Sequence, residues 1–106
     1  MSNTKKLFIS QPMKGKTDEE ILQEREKAIA LAKERIKEQG EEADIEVIES
    51  FFQSAPAEAR PLWFLGKSLE LLSTADFVYF ADGWMKTRGC QIEHTCASAY
   101  NIPIIE

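Results

Sequence analysis

The chain has 106 residues, 43% of them apolar and 29% charged, which is enough for one globular core and one small site but not for a second domain. Its 13 basic and 18 acidic residues leave a net charge of −5, and no basic run is longer than Lys5-Lys6, which argues against a nucleic-acid backbone as partner and leaves a small molecule or another protein. No stretch reaches the uninterrupted apolar length of a bilayer crossing, and MSNTKK leads directly into a strand rather than a secretory leader, so the expected location is the cytosol with no membrane contact.

Lys6-Leu7-Phe8-Ile9-Ser10 reads as a short strand, stopped by Pro12 and Gly15 in the loop QPMKGK. Thr17 then begins a helix as N-cap, with Glu20 three residues later completing a capping box. Ile21, Leu22, Ala28, Ile29, Ala32 and Ile36 form the apolar stripe of that helix, the charges between them form a solvated face, and Gly40 ends it. Ile45 to Glu49 is a second strand, followed by a loop from Ser50 to Pro56 that carries Phe51 and Phe52. Pro61 opens a second helix, where its missing N–H costs nothing, with Leu62, Leu65, Leu69 and Leu72 as the buried stripe. Phe77 to Ala81 is apolar and β-branched or aromatic, as suits a strand buried on both faces.

A polar loop containing Asp82, Gly83, Trp84, Lys86, Thr87, Arg88 and Gly89 follows, then a helix from Cys90 with Ile92, Cys96, Ala99 and Tyr100 as its apolar positions. On such a helix Cys90 and Cys96 point in different directions, so two reduced thiols are expected rather than a disulfide or a shared metal site. Ile102 to Ile105 closes the chain as an edge strand tolerant of Pro103. The order β-α-β-α-β-α-β implies parallel pairing through right-handed crossovers in a three-layer α/β/α sandwich with a small sheet, whose uncovered helix faces suggest a homodimer or higher homo-oligomer.

In such a sheet the carboxyl ends of the strands bring Ser10 to Lys16, Phe51 to Ser54, Asp82 to Glu93 and the C-terminus to one rim, where open α/β sheets bind ligands. Asp82 and Glu93 flank one loop there. Paired carboxylates suit cleavage of a glycosidic bond, one attacking or stabilising the anomeric carbon and the other managing a proton. Each also has an ordinary explanation: Asp82-Gly83 is a common turn, and a Glu in the first turn of a helix is favoured by the macrodipole. With Ile92 as the centre of the buried face, Glu93 is expected at its margin. Arg88 and Lys86 nearby have three readings, holding Glu93 ionised, binding a substrate phosphate or simply being exposed, with Arg88 the better phosphate candidate through its planar fork, and Gly89 would let a ligand approach backbone N–H groups. Trp84 either stacks on a flat ligand or contacts a neighbouring subunit, and the lone His94 is read as a flanking residue, since one histidine does not make a metal site. Gly15-Lys16-Thr17 looks like the tail of a P-loop, but Ser10 occupies the position of the required earlier glycine.

The SQPMKG loop and the segments DFVYFADGW and RGCQIEHTCA resemble the nucleoside 2-deoxyribosyltransferase-like superfamily, in particular its short phage and bacterial branch, over nearly the whole chain. The resemblance implies a flavodoxin-like or Rossmann-like parallel sheet and a Glu nucleophile that attacks the anomeric carbon of a deoxynucleoside or its 5′-monophosphate. A second base or water then takes the sugar, and no metal or other cofactor is needed. It implies Glu93 as nucleophile, Asp82 as helper, and Ser10, Gln11, Met13 and Gly15 as the lining of the nucleoside pocket. Where members of that superfamily carry a further acid before the glycine and a Glu-Leu-Gly sequence, this chain has Thr87-Arg88 and Glu93-His94-Thr95. That departure implies either a phosphorylated substrate or a competing expectation, a non-catalytic module that senses or sequesters a nucleotide.

Overall fold

The protein is represented by a computed structural model that describes residues 3–50 and 56–105. Its elements in chain order are β1 (Thr4–Ser10), α1 (Asp18–Glu38), β2 (Asp44–Val47), α2 (Pro61–Leu72), β3 (Phe77–Phe80), a 3-10 turn (Trp84–Lys86), α3 (Arg88–Ala99) and β4 (Ile104–Ile105). The four strands form one all-parallel sheet in the order β2-β1-β3-β4. That is a doubly wound arrangement of the flavodoxin type, with the strand order reversing between β1 and β3.

Strand alternation divides the core between the two faces. Leu7 and Ile9 of β1 pack with Ala28, Ala32 and Ile36 of α1, whereas Phe8, Val78 and Phe80 pack on the opposite face against Leu72 of α2 and Ala97 of α3. The result is the expected three-layer α/β/α sandwich, with α1 alone on one side and α2 and α3 together on the other.

The local signals at α1 act as read from the sequence. Thr17 accepts a hydrogen bond from the Glu20 backbone N–H, and the Glu20 side chain accepts one from the Thr17 N–H. At the other end Gly40 has φ 91°, and the Gly40 and Glu41 N–H groups bond to Lys37 O and Ile36 O in a Schellman arrangement.

Several side chains lie differently from expectation. Leu22 is 43% exposed, because the stripe that meets the sheet is Ile21, Arg25, Ala28, Ala32 and Ile36, with a charged residue inside it. Leu62 is 77% exposed: only the C-terminal half of α2 reaches the sheet, through Leu69 and Leu72. The face of α3 turned to the core carries Cys90, Glu93 and Ala97, while Ala99 and Tyr100 are exposed and Ile92 and Cys96 half-buried. β2 ends at Val47 rather than Glu49, although the Ile48 N–H still bonds to Leu7 O, and β4 is confined to two residues after Pro103. The aromatic pair Phe51 and Phe52 and the rim segment to Ser54 lie outside the described residues. Among the described residues no helix is long and apolar enough to cross a membrane.

Candidate functional site

β1 ends at Ser10 and β3 at Phe80, side by side at the point where strand order reverses, and the loop after each strand begins there. The two loops come close to each other at Gly83. With φ 85° it turns the chain in a left-handed conformation, and a Cβ at this position would stand 3.5 Å from the Pro12 ring. The chain then passes through the 3-10 turn, and Thr87 becomes the N-cap of α3.

Five polar or charged residues are buried among those described, Ser10, Gln11, Arg25, Ser50 and Glu93, and all five stand at the carboxyl ends of the strands or on the helix turns facing them. Ser10 donates to Glu93 Oε1 at 2.7 Å. Gln11 Nε2 donates to Ile21 O at 3.0 Å. Arg25 donates through Nη1 to Ser50 Oγ at 3.0 Å and through Nη2 to Ile48 O at 2.7 Å, and Ser50 donates to Ile9 O at 3.4 Å. Burying polar groups costs free energy unless they are hydrogen-bonded, so a core built for stability alone would not gather them at one rim. The last three residues of β1 and its following loop, Ile9, Ser10 and Gln11, link all five.

Glu93 is 7% exposed and lies on the core side of α3, not at the margin of its apolar face. Burial pushes its carboxyl above the usual carboxylate range, and the hydroxyls of Ser10 and then Ser68 partly offset this by favouring the charged form. The neighbouring Cys90 thiol is also pushed up, chiefly by burial, against hydrogen bonds with Ser10 and Thr87 and with a further upward contribution from the Glu93 charge. Carboxylate and thiol therefore stand near one another, with the Ser10 hydroxyl bonded to the carboxylate.

Asp82 stands at the opposite end of the loop and is exposed, with no hydrogen bond to its carboxylate among the described residues. Both of its neighbouring loop cations, Lys86 and Arg88, are exposed, and Arg88 occupies the first position of α3. Gly89 lies within α3, with no neighbour near its missing Cβ. Met13 is half-buried, and Gly15, with φ 78°, turns the first loop where the Lys16 N–H bonds to Met13 O.

Trp84 is half-buried against the α2–α3 side of the core and stacks on His94 at 4.3 Å between ring centroids with planes 8° apart, with Phe80 next to both. One indole face is therefore already covered by His94, which packs as an aromatic rather than as a ligand. A cleft of about 180 Å³ beside this stack is lined by Tyr79, Arg35 and the β4 isoleucines. A hollow of about 610 Å³ lies between the end of α1 and the start of β2, at the opposite end of the sheet. Neither is lined by Glu93 or Asp82, and the buried polar cluster rather than cavity size marks the rim as the candidate site. Among the described residues no three His, Cys, Asp or Glu side chains gather around a possible metal position.

Arg25, Ser50 and Ser68 did not stand out in the sequence. Arg25 left a signal, since it lies four residues after Ile21 and three before Ala28, a charge within the apolar stripe. The two serines left none.

No curated protein and no solved structure matches the chain. A family described as a domain of unknown function, DUF4406, matches residues 5–106, and the chain belongs to that family.

Proposed function

We propose that this protein cleaves the N-glycosidic bond of a deoxynucleoside or deoxynucleoside 5′-monophosphate, or exchanges its base, with Glu93 as the nucleophile. One observation carries the reading: the Glu93 carboxylate is buried in the first turns of α3, at the strand-order reversal, and held by Ser10 from the end of β1. A carboxylate deprived of water is more reactive toward an electrophilic carbon, and the Ser10 bond fixes its plane. Glu93 attacks the anomeric carbon as the bond to the base nitrogen breaks and its electron pair passes to the base. Asp82, exposed on the same loop, is the candidate group to manage the proton that the departing base takes up. Water or a second base then attacks the anomeric carbon and releases Glu93, and no step requires a metal.

Nucleotide binding without turnover is the second reading. It is favoured by the different surroundings of the two carboxylates, Glu93 enclosed and Asp82 in solvent. The expected self-association is supported by the exposed apolar side chains Leu62 and Phe64 on α2.

The test is incubation with a panel of deoxynucleosides and their monophosphates, with free base followed by chromatography, for wild type and Glu93→Gln. Release by wild type and none by the isosteric variant is expected. The acid side of the rate profile should fall with an apparent pKa above the ordinary carboxylate range. Equal traces from both proteins would end the catalytic reading, and ligand-induced stabilisation without base release would leave the binding one.

A further inference from the structure

We infer that Arg25, not Arg88, is the anion ligand of this site, and that with Gln11 it selects a phosphorylated, hydroxyl-bearing ligand, a nucleoside 5′-monophosphate in preference to the free nucleoside. The inference rests on the reading of the rim as a nucleoside site and adds to it the phosphate.

Two unfilled valences on the α1 side of the rim carry it. Arg25 is a buried cation, 6% exposed, and among the described residues it has no buried counter-charge. Its nearest carboxylate, Glu49, stands 3.9 Å from Nη2 with its side chain 82% exposed, too distant for a hydrogen bond and largely screened by water. A guanidinium has five N–H donors, and the described residues accept two of them, at Ser50 and Ile48. A buried guanidinium with neutral partners and donors left over among the described residues is poorly compensated by them, and its fork matches two oxygens of a phosphate. Arg88, by contrast, is exposed at the start of α3, where its charge is already solvated and gains little from a further partner.

The second valence is Gln11. Its Nε2 bonds to Ile21 O, and only the amide nitrogen can donate to a carbonyl, so the orientation of the carboxamide is determined. That leaves Oε1, buried and without a hydrogen-bond partner among the described residues. An orphaned buried acceptor calls for a donor from outside the chain, such as the hydroxyl of a sugar or a water. Gln11 and Arg25 belong to one neighbourhood, because Gln11 bonds to the turn of α1 at Ile21 and a helical side chain at position 25 lies back over that same turn. The tip of β1 lies between them and Glu93, whose side chain meets Ser10 on the α3 side of the sheet. A ligand lying across this tip would present its anomeric carbon to Glu93, a hydroxyl to Gln11 and its phosphate to Arg25.

The experiment is calorimetric titration of the full chain with a deoxynucleoside, its 5′-monophosphate and inorganic phosphate, for wild type, Arg25→Met, Arg25→Lys, Gln11→Met and Arg88→Ala, with folding checked by circular dichroism. The monophosphate is expected to bind wild type at least tenfold more tightly than the nucleoside. Arg25→Met should abolish that preference by weakening the monophosphate far more than the nucleoside, Arg25→Lys should retain only part of it, and Gln11→Met should weaken both ligands. If Arg25→Met does not fold, the Arg25→Lys titration and the shift of the Arg25 side-chain N–H resonances in wild type on adding inorganic phosphate decide the question. A preference that survives in Arg25→Met, or is lost in Arg88→Ala instead, overturns the inference. So does an Arg25 variant altered only in stability, or phosphate addition without a shift. Because binding is read apart from base release, a monophosphate held by Arg25 but never cleaved supports the inference while refuting catalysis. Base release that is equal for both ligands and indifferent to Arg25 does the reverse.

Discussion

Replacing Ser10 by Ala tests whether the rim is organised around an ionised Glu93. The Ser10 hydroxyl is 1% exposed and donates to Glu93 Oε1 at 2.7 Å, a length typical of a charge-assisted bond. Bonds to charged groups contribute about 1.5–3 kcal/mol, and here the acceptor stays buried when its donor is removed, so a loss of about 2 kcal/mol is expected at neutral pH. For a domain of this size that is roughly a 10 °C fall in Tm, accessible by urea or thermal unfolding followed through the fluorescence of Trp63 and Trp84.

The pH dependence gives the sharper result. Ser10 lowers the Glu93 pKa relative to what burial alone would set, so its contribution is present above the folded-state pKa values of wild type and variant and is lost as pH falls through them. Glu93→Gln acts in the opposite sense. Because the folded pKa of Glu93 is raised, its stability contribution is full below the unfolded carboxylate range, about 4.3, and is lost as pH rises through the folded value. The neutral isostere should therefore be more stable than wild type at pH 7, with the difference closing on acidification toward pH 4. In the double variant the cost of removing Ser10 should shrink, since the acceptor no longer carries charge. A Ser10→Ala cost that is the same at pH 4 and pH 7, or unchanged in the Glu93→Gln background, would refute the buried carboxylate as the centre of this network.

Gly83→Ala is expected to cost about 1 kcal/mol, from forcing a β-carbon into the left-handed region at φ 85°, since contact with Pro12 at 3.5 Å is ordinary. Gly83→Asn should recover part of this in the same urea titration, and an Ala variant as stable as wild type would mean that the turn is free to change. In native protein at neutral pH a thiol reagent should modify half-buried Cys96 first, while Cys90, buried and with its thiol pushed up, reacts only as the chain opens. Two equally fast thiols would contradict this. Glu93→Gln should lower the Cys90 pKa by removing a neighbouring negative charge, visible as thiolate ultraviolet absorbance that rises at lower pH in the folded protein.

What could be read in advance depended on whether a signal was local. The Thr17–Glu20 capping box, the Gly40 stop and Pro61 at the start of α2 act within a single turn of chain, and each appears where the sequence places it. The phase of a short helix is not local in this sense. Ile92, Cys96, Ala99 and Tyr100 make an apolar pattern on α3, but the helix meets the sheet through Cys90, Glu93 and Ala97, and a buried carboxylate looks like a gap in the pattern that should reveal the core face. Arg25 hid in α1 in the same way, and Leu62 was assigned to a core that only the other half of α2 reaches.

The sequence by itself determined the alternation of strands and helices, hence a parallel three-layer sandwich, because hydrophobic periodicity and the punctuation by Gly and Pro are properties of neighbouring residues. It also placed Ser10, Gln11 and Glu93 at one rim through the direction of the parallel strands. Only the tertiary structure decided which of those side chains are enclosed. The Ser10–Glu93 bond joins residues 83 positions apart, the Arg25–Ser50 bond joins α1 to the segment after β2, and the Gln11 amide is bonded to Ile21 of α1 while its oxygen is left buried without a partner among the described residues. Desolvation, which shifts the Glu93 pKa and leaves Arg25 with so little compensation, is set by everything packed around a group and has no imprint in the residues next to it.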